Sequence, residues 1–105
     1  MINLLTPTPN TQWVIGQQNT VSWDAFPNIT GQIDLLDASD KSLVGVILSE
    51  TEAHQTSFSW DTRSYNLGRY GGLMKDVVPG TYIIEVQFDG NNLPKLFGGP
   101  VTITN

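Results

Sequence analysis

Apolar residues along this chain recur at every second position, in short bursts separated by turn-forming clusters. Thr20 to Asp24 sets the pattern: Val21 and Trp23 alternate with polar neighbours, as in a half-buried strand. Gln17-Gln18-Asn19-Thr20 before it is too polar for a core, and Gly16 supplies the bend that brings the chain to Trp23. Gln32 to Leu36 sets Ile33 and Leu35 on one face and Asp34 on the other. Leu43 to Leu48 is a Val/Ile/Leu run, too short for a helix, with Gly45 marking a bulge. Thr56 to Trp60 points Phe58 and Trp60 the same way. In Thr81 to Phe88, residues Tyr82, Ile84, Val86 and Phe88 alternate with Ile83, Glu85 and Gln87. A last strand turns Val101 and Ile103 inward, after a bend or bulge at Gly98-Gly99-Pro100.

The punctuation between these runs is equally regular. Ile2 to Leu5 reads as a first edge strand, kinked by Pro7 and Pro9, which lack N–H donors and cannot sit inside a sheet. Trp13 to Ile15 continues along an edge. Loops or turns fall at 27–31, 37–41, 49–55 and 89–92, the last an Asp-Gly hairpin signal. Residues 61–79 form the longest stretch without a strand pattern and read as a loop. No helical periodicity extends over two turns. Seven or so short strands at this spacing predict an all-β, antiparallel two-sheet sandwich, one domain over residues 1–105.

Composition changes the picture in few places. The chain has no Cys, which removes disulfides and thiolate metal sites. Charged residues are 14% of the chain, so Thr, Ser, Asn and Gln must supply the polar surface, a balance that suits an extracellular, glycan-rich setting. A net charge of −5 argues against nucleic acid, whose phosphates need a cationic face. No apolar run is long enough to span a membrane. The opening Met1-Ile2-Asn3 lacks the regions of a signal peptide, leaving either synthesis without one or a trimmed mature domain.

An ordered set of motifs now stands out. Ile2, a Pro-containing turn at Pro7 or Pro9, Trp13, Gly16 and Val21-Ser22-Trp23 are followed by Ile33-Asp34-Leu35-Leu36. Ser57-Phe58-Ser59-Trp60, Gly80-Thr81-Tyr82-Ile83-Ile84 and Gly99-Pro100-Val101-Thr102-Ile103 complete it. In this order the chain resembles the N-terminal domain of the fungal Ser-Thr-rich glycosylphosphatidylinositol-anchored membrane protein family, shared with yeast proteins needed for cell-wall β-1,6-glucan assembly. The resemblance implies a secreted, often cell-surface, immunoglobulin-like or fibronectin-like sandwich without catalysis. Two features depart from that pattern: the Ser/Thr-rich stalk and anchor signal are missing, and the segment between Trp60 and Gly80 is longer.

That longer segment holds the main candidate chemistry. Arg63, Arg69 and Lys75 are three of the five basic residues, and Tyr65 and Tyr70 are interleaved with them. An aromatic face stacks on the C–H face of a sugar, while Arg offers fixed donors to hydroxyls or carboxylates. The plainer reading is that both Tyr fold back to cap the core. Trp13 is either an exposed sugar platform or a cover over the open end of the core. Trp23, Trp60 and Tyr82 are core residues, Tyr82 with its hydroxyl bonded to backbone. Asn28-Ile29-Thr30 is an N-glycosylation pattern in a loop, with Asn28 as acceptor. His54, the one histidine, reads as solvent-facing. Asp37 and Asp40 read as turn residues, without the spaced ligands of a calcium loop. No acid pair, nucleophile–base pair or metal-ligand set is selected by spacing, and no cofactor is implied.

These readings converge on a non-catalytic, extracellular or cell-wall domain that binds wall glycans. The alternative is a protein-interaction module whose edge strands add to a partner's sheet or pair as a homodimer.

Overall fold

The computed structural model describes residues 3–26, 28–90 and 92–105. Nine strands build it, and no helix is present among the described residues. They are β1 (Thr11–Val14), β2 (Asn19–Ser22), β3 (Gly31–Asp37), β4 (Leu43–Leu48), β5 (Ser57–Trp60), β6 (Ser64–Gly68), β7 (Gly71–Asp76), β8 (Gly80–Phe88) and β9 (Leu96–Thr104). Seven of them form one sheet in the order β1-β9-β8-β3-β4-β6-β7, and β2 and β5 form a second.

The period-two residues do what their spacing demands. Ile33, Leu35, Ile84, Val86, Phe88, Val101 and Ile103 of the large sheet share one buried cluster with Val21 and Trp60 of the small sheet. Trp23 and Tyr82 are buried in the same cluster, and the Tyr82 hydroxyl donates to the Val78 carbonyl at 2.6 Å. The bulge expected in β4 is present: Leu35 faces Gly45 and Leu36 faces Leu43, leaving Val44 as the extra residue. β9 contains the other expected irregularity, with Tyr82 opposite Val101 but Ile84 opposite Gly98.

Three expectations are corrected. The large sheet is mixed rather than antiparallel, because β1 runs parallel to β9. The run at Ile2 to Leu5 makes no regular strand in its described part. Asn3 bridges Phe97 and Thr6 bridges Ser22, so this segment touches both sheets, and Ile2 lies outside the described residues. The third correction concerns 61–79, which is not a loop. It folds into the β6–β7 hairpin and extends the sheet beyond β4. Most of β7 is open to solvent, so no buried face stamps a two-residue period on its sequence. Of the expected turns, 27–31 includes Pro27 and 89–92 includes Asn91, both outside the described residues.

Candidate functional site: a cleft between β5 and the β6–β7 hairpin

Among the described residues β5 pairs with β2 alone, so its other edge is open. On that open side a cleft of about 250 Å³ lies between β5 and the hairpin. Phe58, Ser59 and Trp60 form one wall. Ser64, Tyr65 and Asn66 of β6 form the other, with Met74 of β7 behind them. Ile47, Gln18 and Asp61 complete the lining.

Each wall is held by identifiable bonds. The Trp60 indole N–H donates to the Ser64 carbonyl at 3.0 Å, and its ring meets Trp13 edge-on with centroids 6.1 Å apart. Thr62, in the turn between β5 and β6, has a φ of +62° and is fully buried. Its hydroxyl donates to the Gln17 carbonyl at 3.0 Å and accepts from the Asn19 amide at 2.8 Å, which fixes that unusual backbone. The Asp61 carboxylate accepts the Arg63 N–H at 3.0 Å. The Ser59 hydroxyl donates to the Gln18 side-chain carbonyl at 2.7 Å. Tyr65 lies across Gly45 of β4, where any Cβ would collide with its ring.

The chemistry of the lining is specific. Three aromatic side chains supply apolar surface, and hydroxyls and amides supply donors and acceptors around it. No Lys or Arg lines the cleft, and Asp61 is its one charged group. A second hollow of about 390 Å³ beside the N-terminal segment is lined by Leu4, Pro7, Pro9, Ile83 and Phe97, with Lys41 over the Phe97 ring. It lacks this density of polar groups.

The residues expected to act together are divided. Tyr65 is in the cleft. Arg63 is exposed, with its guanidinium beside Gly16. Arg69 and Tyr70 form the tip of the hairpin. There Arg69 donates to both Asp89 carboxylate oxygens, at 2.9 and 3.2 Å, and to the Ser49 carbonyl. Thr30 donates to the same carboxylate and, with Arg69, holds Asp89 below the usual carboxylate range. Tyr70 is 81% exposed, with the Arg69 guanidinium 5.1 Å from its ring centre. Trp13 is only 6% exposed, which corrects its reading as a sugar platform: it covers the core. Asn28 is exposed, and so is His54. Asp37 and Asp40 accept bonds from Ser39 and Ser42 within their own turn.

Sequence reasoning missed Gln18, Ser59, Ser64, Asn66 and Met74, because the cleft exists only once β6 is recognised as a strand. Phe58 and Trp60 were legible as inward-facing, but not as residues that also show an edge to the cleft. Set against protein-family models, curated proteins and solved structures, the chain matches none.

Proposed function

We propose that this chain is a secreted or cell-surface, non-catalytic β-sandwich that binds neutral wall or matrix glycans in the cleft between β5 and β6. The observation that carries this reading is the lining: aromatic surface ringed by amides and hydroxyls, with no cation. Sugar C–H faces pack on aromatic rings, and sugar hydroxyls exchange bonds with amide and hydroxyl groups. A uronate or sulfated glycan would bring its negative charge towards Asp61 with no Lys or Arg in the lining to balance it. Hydrolysis of a glycoside uses two carboxyl groups across the bond, whereas one lines the cleft.

Two features support an immunoglobulin- or fibronectin-like build. The N-terminal segment is shared between the two sheets, and the Tyr82 hydroxyl reaches back to backbone before its strand. The resemblance to fungal wall-assembly domains makes β-glucan the first ligand to try.

Retention on insoluble β-1,3-glucan, β-1,6-glucan and chitin tests the proposal. The wild-type chain is retained on one of them. Gln18→Ala combined with Asn66→Ala weakens retention about tenfold, the equivalent of ~1.4 kcal/mol, while the melting temperature holds. Tyr70→Ala, far along the hairpin, leaves retention unchanged. A double variant retained as well as wild type contradicts the assignment of the cleft.

A further inference from the structure

We propose that β7 is a docking edge that takes an acidic, extended segment of another protein as an added strand. β7 ends the seven-stranded sheet, with β6 as its one partner among the described residues. The Val77 N–H donates to the Arg63 carbonyl at 2.9 Å. That bond sets the phase of the ladder. Hydrogen-bonded pairs fall at 63/77 and 65/75, and in an antiparallel pair the alternate residues turn their backbone groups outward. Asn66 obeys this phase by pairing on its far side with Val46 of β4. Met74 and Asp76, opposite Asn66 and Ser64, therefore present N–H and C=O to the free edge.

The usual protections of an edge are scarce here. β7 contains no Pro, and Lys75 is its one cation. Five of the seven large hydrophobic residues exposed among the described residues fall between Leu67 and Val78: Leu67, Tyr70, Leu73, Met74 and Val78. Clustered exposed apolar groups of this kind mark contact surfaces.

Charge selects the partner. Side chains on β7 alternate, with Lys75 on one face and Met74 and Asp76 on the other. A second copy paired about Met74 would set the two Lys75 side chains as diagonal neighbours and bring two strongly acidic bodies together. An acidic strand with alternating apolar residues instead sets its acids against Lys75 on one face and its apolar residues against Met74 on the other.

Amide NMR titration tests the proposal on the intact chain, with a short blocked peptide alternating Glu and Val and a Lys/Val peptide as control. The Glu peptide shifts the amides of Gly72, Met74 and Asp76, leaves those of Gln18 and Ser59 in place, and binds at least about tenfold tighter than the control, ~1.4 kcal/mol. Lys75→Glu reverses that preference, and added salt narrows it. Equal binding of both peptides, shifts confined to other strands, no shifts at all, or a concentration-dependent dimer through β7 in sedimentation would each overturn it. Glycan retention in the cleft is read separately, so loss of one assignment leaves the other standing.

Discussion

At the scale of single residues, the strongest constraint on the outer face of the large sheet is an acid pair. Asp34 and Glu85 sit directly opposite each other on β3 and β8 and are 3% and 6% exposed. Val46 flanks Asp34 on β4, and Phe97 flanks Glu85 on β9. Gln32 donates to Asp34 at 2.7 Å, and the Lys95 ammonium lies 3.8 Å from Glu85. Burial, then the Asp34 carboxylate, push the Glu85 carboxyl up to about 7, against the pull of Lys95. The folded chain therefore keeps a proton between pH 4.5 and 7 that the unfolded chain has released. Stability contributed by that proton is full below pH 4.5 and is lost as pH rises through 7. Glu85→Gln should remove this dependence and raise stability at pH 8 by about 2–3 kcal/mol. Denaturant titrations at pH 4, 6 and 8 check it, and parallel pH profiles for wild type and variant would count against it. Alternation set both acids on the face opposite Ile33 and Ile84, but gave no sign of their burial there. Their opposition was not legible, because register depends on long-range pairing that no local pattern encodes.

At the scale of elements, the β6–β7 hairpin creates both candidate surfaces, and a single glycine on β4 lets it dock. Gly45 is buried, with the Tyr65 ring laid across it and the Asn66 carbonyl 2.7 Å from where a Cβ would stand. Gly45→Ala forces the ring and backbone of β6 away and should cost about 2–3 kcal/mol. Tyr65→Ala in that background restores part of the loss, since the two changes share one contact. Thermal melts of the single and double variants measure this. A neutral Gly45→Ala would mean that β6 does not lie against β4. The sequence offered Gly45 as a bulge marker, and a bulge does lie beside it. Its second role, as a seat for an aromatic ring, needed knowledge that Tyr65 stands on a strand. By contrast β3, β4 and β8 were legible nearly to the residue, because alternation in β3 and β8 and a short unbroken aliphatic run in β4 mark them as strands.

At the scale of the whole molecule, two sheets share one hydrophobic core, and the polar opportunity lies where the small sheet runs out. β2 and β5 are too few to cover the large sheet, so the open edge of β5 leaves an aromatic-walled mouth beside β6. The all-β class and the buried positions of Trp23, Trp60 and Tyr82 could be read before the structure. The cleft could not, because its walls belong to different sheets and join residues from 18 to 74. The most direct measurement is an amide and indole NMR titration with soluble β-1,3- and β-1,6-glucan oligosaccharides. Binding in the cleft shifts the Trp60 indole N–H and the amides of Gln18, Ser59, Tyr65 and Asn66 together, saturably, while Arg69 and Tyr70 stay in place. A saturable response confined to the hairpin tip or the opposite end of the sheets, or none with either glucan, would contradict the account.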